Sequence, residues 1–409
     1  MEQTPDFSVG IVGGGVVGLA LALNLHRRGV ACRVYETVAE IRELGVGITL
    51  LPHAMREMTA LGLGDELLSL GIENRQSAFF NRFGQQIYAE PRGKFAGYPF
   101  PEVGIHRGRL HTALYRAVQN RLGPDAVVTG RTCTGFEQDE TGVTIGFAQA
   151  EPVRHDILVA CDGVNSAIRK QLYPDDKVVF SGVSTWRGVT RRKPILDGRT
   201  YIRIGSIKTA KILMYPIIDD IDAEGRQLVN WAAEVPVDTL EKNDWNKQGR
   251  AEDILPVYGD WKFDWLDVGQ LIRDAELILE YPMVDKDPLG RWTFGRVTLA
   301  GDAAHPMYPR GSNGAAQGTI DARTLAELLA EADDPVDALK AYEAVRLPAT
   351  AAVVRTNRTQ PPDFINIKVE ELVGDRPFGN LDDYISQAEL KALSDQYKRV
   401  AGFSLQDVR

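Results

Sequence analysis

Gly13, Gly15 and Gly18 fall at G-x-G-x-x-G spacing, directly after the apolar run Ser8 to Val12 and at the head of a helix-period stretch that opens with Val16 and Val17. Each glycine has a mechanical job: the first permits a tight turn, the second lets backbone approach a pyrophosphate, and the third lets helix and sheet pack closely. The helix N-terminus then offers unpaired N–H groups to the phosphates, so no lysine is required. The helix runs to about Arg28 and stops at Gly29, a C′ glycine. The strand Cys32 to Tyr35 follows and delivers Glu36 about twenty residues past the glycines. A carboxylate there accepts from a ribose 2′-OH and repels a 2′-phosphate, so the spacing points to FAD or NAD rather than NADP.

Other chemistry-bearing residues fall at similar junctions. DILVACDGVNSAIRKQL, residues 156 to 172, ends a strand at Asp162 and Gly163 and opens a helix near Ser166. Residues 296 to 329 run from a strand through Gly301 and Asp302 into a Pro/Gly-rich loop with Pro309 and Gly311, then into a long helix from about Gly314 and Ala315. Arg107 stands where VGIHRGRLHTALYRAV changes from strand to helix, and the loop after Glu36 carries Arg42, Gly45 and Gly47, a glycine content that admits a planar ring. TAKILMYPII alternates, so Lys211, Leu213 and Tyr215 share one strand face. A lysine over an apolar cavity there pairs with a carboxylate or phenolate; the competing expectation is that Lys211 points to water. His305, inside GDAAH, reads as a brace for its loop in preference to a general base. No histidine, cysteine or carboxylate set has metal-ligand spacing.

The elements that must position these residues are those of an ordinary globular chain. With 409 residues, 44% hydrophobic and 25% charged, it has length for two or three domains. A net charge of -9 argues against nucleic acid as a partner. Cys32, Cys133 and Cys161 are too few and too scattered for a disulfide framework, which suits a cytoplasmic protein. No signal peptide or membrane span is expected, because the first apolar segment is the glycine-broken turn. Gln76 to Glu90 reads as two strands about a turn at Phe83 and Gly84, Val127 to Phe136 and Thr141 to Phe147 as strands. Strand patterns at Thr185 to Arg191, Tyr201 to Ile204, Ile212 to Ile218 and Leu228 to Pro236 lack long helices between them, which predicts an antiparallel sheet. Five of the six tryptophans lie from Trp186 to Trp265, fitting either an aromatic-lined pocket or the core of that β-layer.

GGGVVG with Glu36, HRGRL at 106 to 110, CDGVNSAIR at 161 to 169 and GDAAHPMYPRGSNGA at 301 to 315 together resemble the class A FAD-dependent aromatic hydroxylases, over nearly the whole chain. Within that group EPRG, WRGVT, NDWN and YPMVDKDPL are most similar to the phenazine-1-carboxylate-type monooxygenases. The resemblance implies an α/β fold: a Rossmann-type FAD-binding domain built from 1–75, 101–178 and 275–345, interleaved with an antiparallel substrate domain at 76–100 and 179–274, and a C-terminal helical segment from 346. It implies that Gly13, Gly15 and Gly18, with Val16 and Val17 behind them, hold the FAD pyrophosphate, Glu36 the adenosine ribose, Arg107 the pyrophosphate or ribityl region, and Asp302 the ribityl hydroxyls. Arg42 matches a second cofactor-contacting arginine, Gly47 lies on the flavin-facing loop, and Cys133 lies on the strand whose backbone meets the adenine. Asp162 belongs to a motif linked to FAD and the pyridine nucleotide, with orientation of Arg107 as its expected part. Pro309 and Gly311 flank the isoalloxazine, and the N–H groups of Gly314 to Ala316 face its pyrimidine edge. Relatives often carry a polar residue where Ala315 and Ala316 stand, so contacts here must come from backbone. Tyr215 looks toward the substrate.

The activity implied is NAD(P)H- and O2-dependent hydroxylation of an aromatic or heteroaromatic ring through a flavin C4a-hydroperoxide, with decarboxylation if the substrate is an aromatic acid. Epoxidation, Baeyer–Villiger oxidation, dehydrogenation or a ligand sensor on the same fold stay open, as do NADH versus NADPH and monomer versus homodimer. There is no second G-x-G-x-x-G for the nicotinamide cofactor, as is usual for the family.

Overall fold

The computed structural model describes residues 7–43, 45–238 and 248–408. Five parallel strands lie in the order Val297–Leu299, Ile157–Ala160, Ser8–Val12, Ala31–Tyr35 and Val127–Val128. Ser8–Val12 is central and covered on both faces, which is why it is apolar without alternation. Its C-terminal end, and those of Ile157–Ala160 and Val297–Leu299, carry the three loops the sequence singles out, so one edge of one sheet gathers Gly13, Asp162 and Asp302. That edge is where open α/β sheets bind ligands. Helix Val16–Arg27 is buried along most of its length and packs against helix Gly314–Glu331. The close approach needs Gly318, where a Cβ would lie 2.4 Å from Val17 Cγ2.

The second sheet has seven strands, in the order Ala275–Lys286, Val178–Arg192, Gln227–Pro236, Ala210–Ile218, Thr200–Ser206, Gln76–Phe80 and Gln86–Pro91. Pairing is antiparallel except between Thr200–Ser206 and Gln76–Phe80, which run parallel because the chain reaches them from different segments. One face packs on helices Ala251–Tyr258 and Val268–Arg273 through Ile212, Met214, Trp186, Trp231 and Trp261. The tryptophans described there fill the core on that face, so they do not line a pocket; Trp245 and the NDWN stretch lie outside the described residues. The opposite face turns toward the parallel sheet and the C-terminal helices.

Three expected boundaries move. Ala275–Lys286 pairs along Val178–Arg192, so the chain leaves the second sheet near 286 and not at 275. Val127–Phe136 is two strands, because Gly130 takes a φ of 68° and Cys133–Gln138 joins a separate antiparallel sheet with Val143–Phe147 and Ala150–His155. The boundary at 346 falls within one continuous helix, Pro335–Thr359, whose Arg346 is buried; Phe364–Val373 and Gln387–Val400 follow it.

Candidate functional site

The glycine turn separates into two kinds of requirement. Gly13 has φ 104° and a Cβ there would lie 2.3 Å from the Cys161 carbonyl oxygen; at Gly18 it would lie 2.0 Å from that of Gly13. Those two are demanded by the fold itself. At Gly15 a Cβ would meet nothing within 4 Å, so the fold itself does not require a glycine there. The first helical bond runs from Leu19 N–H to the Gly15 carbonyl at 3.0 Å, which leaves the N–H groups of Val16, Val17 and Gly18 without intrahelical partners. Glu36 accepts from Gly14 N–H at 2.6 Å and Val38 N–H at 2.9 Å, tying the turn to the second strand. His111 Nε2 donates to the Gly14 carbonyl at 2.6 Å from the helix behind. Replacing Glu36 by alanine is expected to weaken FAD retention at least tenfold, since charge-assisted bonds are worth on the order of 1.5–3 kcal/mol each; flavin absorbance per protein after desalting measures it.

Arg107 opens helix Arg107–Leu122; its backbone N–H donates to the Val46 carbonyl at 3.0 Å and its side chain is exposed. The acid in its field is Asp302, which water reaches although protein surrounds it. Burial raises the Asp302 carboxyl above its usual range, with His305 and Arg107 opposing. Asp162 Oδ2 accepts from Ala167 N–H at 2.8 Å at the start of helix Ala167–Leu172, leaving Oδ1 buried without a partner. Cys133 is half-buried, its thiol pushed up to about 11 mainly by burial. The residues leading into its strand follow Glu36, with Arg131 N–H on the Glu36 carbonyl at 2.8 Å. Arg42 is exposed and pairs with Glu40 at 2.6 Å, away from the other cofactor candidates' network.

The loop 301–314 is held from beneath by residues that sequence reasoning missed. Arg169 is fully buried; its Nη1 donates to the carbonyls of Ala303 and Ala304 at 3.1 and 2.9 Å while its Nε pairs with Asp176 at 2.8 Å. His305 Nε2 bonds the Asp321 carboxylate, which also accepts Gly301 N–H at 3.0 Å and Arg346 Nε at 2.7 Å. Burial pushes the Asp321 carboxyl up, but His305 and Arg346 outweigh it and hold it below the usual range. His305 is thus a buried brace. Pro309 is exposed, and Gly311, at φ 79°, lies where a Cβ would be 2.0 Å from Tyr397 Oη, so the last helix bears on the loop. Gln317 N–H to the Asn313 carbonyl, at 2.9 Å, is the first helical bond beyond it, and the N–H groups of Gly314, Ala315 and Ala316 precede that bond. Gly314 is the residue whose Cβ would approach Asp302 Oδ1, at 3.9 Å.

Across from this loop stands the inner face of the seven-stranded sheet. Tyr215 and Tyr201 stack at 4.8 Å in one cluster with Val46, Val189 and Ile217. Burial raises the Tyr215 phenol, helped by Tyr201 and opposed by Thr49 and Arg187. Gly47 meets the same face: its N–H donates to Asn230 Oδ1 at 2.7 Å, and a Cβ would lie 2.6 Å from that of Asn230. Lys211 shares the face but fits neither expectation made of it. It is 1% exposed and pairs with Glu234 at 2.6 Å and Asp363 at 2.7 Å. Burial lowers its pKa, yet the two acids outweigh burial and hold the ammonium above its ordinary value. Two carboxylates already satisfy that charge, so Lys211 is not an open partner for a substrate anion. Lys211→Met should leave flavin content unchanged and lower stability by about 3 kcal/mol, because two buried acids each lose their nearer cation; urea denaturation checks the second part and absorbance the first.

These residues suit a flavin dinucleotide: an open cradle at Gly15, a helix start with free N–H groups, an acid at the second strand, and a water-reachable Asp302 beside Arg107. The FAD binding domain family matches residues 6–199 and 284–357. The chain is 40% identical to phenazine 1,6-dicarboxylic acid hydroxylase PhzS of Lysobacter antibioticus over 98% of both chains. It is 32% identical to 3-amino-4-hydroxybenzoate 2-monooxygenase PtmB3 of Streptomyces platensis over 87% of this chain and 88% of that one. In fold it matches Klebsiella pneumoniae HpxO complexed with FAD and uric acid, with a TM-score of 0.77 at 22% identity over 100% and 98% of the two chains. A salicylate hydroxylase substrate complex matches at 0.75 and 23%, over 99% and 98%. Among the described residues no helix is long and apolar enough to cross a membrane. With its glycine cradle, its Asp302 loop and its second sheet in one arrangement, and with a 40% identical hydroxylase spanning the same length, the chain belongs to the FAD-dependent aromatic hydroxylases and is a flavoprotein monooxygenase.

Proposed function

We propose that this enzyme uses NAD(P)H and O2 to place one oxygen on an aromatic or heteroaromatic ring. The observation that carries the reading is the facing of two surfaces: the loop 301–314 with its helix-start N–H groups on one side, and the Tyr201–Tyr215 face of the seven-stranded sheet on the other. Bound FAD supplies the redox chemistry, accepting a hydride and activating oxygen. The chain's own residues do the rest. Gly13, Gly15, Gly18, Val16 and Val17 take the pyrophosphate, Glu36 the adenosine ribose and Asp302 the ribityl chain, with Arg107 neutralising charge. The N–H groups of Gly314 to Ala316 stabilise negative charge at the ring edge, and Pro309 and Gly311 fix the loop against it. Tyr215, kept protonated by burial, donates a hydrogen bond to a ring substituent, while Val46, Leu213 and Val189 exclude water. The 40% identity to a phenazine dicarboxylic acid hydroxylase favours a fused, acid-bearing ring.

The test is a panel of aromatic acids and phenols scored by NADH and NADPH oxidation and by product mass. Oxidation stimulated by a ring compound with a gain of one oxygen supports the reading, and simultaneous loss of CO2 marks decarboxylative hydroxylation. Yellow protein that no ring compound stimulates defeats it.

A further inference from the structure

The inner face of the second sheet is laid out in three cross-strand rows. One runs Lys211, Glu234, Thr185, Tyr281; the next Leu213, Ala232, Arg187, Leu279; the third Tyr215, Asn230, Val189, Leu277. The first row is covered by Asp363 and by Arg310 of the 301–314 loop, whose Nε lies 4.0 Å from Glu234 Oε2. The third is covered by Gly47 on Asn230 and by Tyr201 on Tyr215. The middle row lies between these covers: Leu213, Arg187 and Leu279 are all half-buried, and Ala232, the smallest of the four, makes a dip beside Arg187.

Every other cation of this face near the rows has an acid. Lys211 has two, Arg203 has Asp363 at 3.2 Å, Arg310 faces Glu234, and Arg191 has Glu276 at 2.9 Å. Among the described residues Arg187 has none. Its Nε is buried without a hydrogen-bond partner, its guanidinium lies 5.7 Å from the Tyr281 ring centroid, and its charge is felt at the Tyr215 phenol. An arginine held in an apolar row, with a buried donor left open and no carboxylate beside it, is complete only when an anion arrives.

We propose that Arg187 anchors the carboxylate of the aromatic substrate, the ring lying over Leu213 and Ala232 toward Tyr215. This rests on the hydroxylase reading above and names the group that gives it specificity. The planar fork pairs with a carboxylate through two parallel hydrogen bonds, which sets the ring's orientation as well as its affinity. The position that Lys211 was expected to fill is thereby taken by a residue two strands over and one row along.

The experiment uses holoenzyme and three acids, phenazine-1,6-dicarboxylate, 3-hydroxybenzoate and salicylate, each beside its carboxamide, with binding read by perturbation of the flavin spectrum. The parent is expected to prefer at least one acid over its amide by tenfold or more. Arg187→Met should weaken that acid by about 10- to 100-fold and leave the amide and the flavin content unchanged; Arg187→Lys should recover part of the loss. Equal weakening of acid and amide, or an acid preference that survives in Arg187→Met, overturns the assignment while leaving the hydroxylase reading intact. Should Arg187→Met fail to fold, undiminished acid preference in Arg187→Lys with its single-point charge overturns the bidentate pairing. Parent enzyme that binds no acid and no amide overturns both readings.

Discussion

Replacing Arg169 by methionine is expected to strip the flavin from the purified enzyme. The guanidinium is fully buried and spans two structural units: Asp176 on its own side, and the carbonyls of Ala303 and Ala304 in the loop that presents Asp302, Pro309 and Gly311. Methionine fills comparable volume but donates nothing, so two carbonyls and one carboxylate lose a buried partner together. Breaking one buried ion pair costs about 3–5 kcal/mol, and the two carbonyls place this change at the top of that range. The loop carries the loss, because between Leu299 and Gly314 it has no strand of its own to hold its path. Circular dichroism should show the secondary structure retained, while the ratio of flavin to protein absorbance falls at least a hundredfold below that of the parent. A methionine variant with full flavin occupancy would remove the anchoring role.

The second large effect separates two glycines of one motif. Gly18→Ala brings a Cβ to 2.0 Å from the Gly13 carbonyl oxygen, a backbone atom that cannot move without opening the turn. The variant is expected to lose both flavin and thermal stability, by more than about 3 kcal/mol, as overpacking at a fixed backbone does. Gly15→Val meets nothing within 4 Å in the chain and its φ, −75°, suits any residue. Its apoprotein should melt within a degree or two of the parent apoprotein, yet bind FAD at least a hundredfold more weakly because the side chain fills the pyrophosphate's place. Calorimetry of both apoproteins with fluorescence titration of FAD reads the two quantities apart. Equal melting losses in both variants would mean that Gly15 also serves the fold.

Much of this architecture is legible in the chain because its signals are local. The glycine turn, the Ser166 cap, Gly29 and the four central strands of the second sheet each follow from a few neighbouring residues. What the chain conceals is long-range charge pairing. Nothing near Lys211 in sequence announces Asp363, 152 residues away, and so a buried pair passes for a free ammonium. Arg169 is visible only as a basic residue in the first turn of a helix, until the fold brings Ala303 and Ala304 against it. The tryptophans mislead for a related reason: enrichment states that a layer is aromatic and says nothing of which side faces the cofactor. Arg187 is hidden in the same way, since the absence of an acid beside it is a property of three strands and not of one.

The contact between Gly311 and Tyr397 also makes the loop answerable to a distant part of the chain. The loop that carries Asp302 rests on helix Gln387–Val400, far from it in sequence. Tyr397 accepts a hydrogen bond from Asn313 at 2.7 Å and donates to Asn357 at 2.8 Å, so the loop, the long helix and the final helix lock at one hydroxyl. A change at Tyr397 therefore reaches the 301–314 loop through a single oxygen, although 84 residues of chain separate it from Asn313.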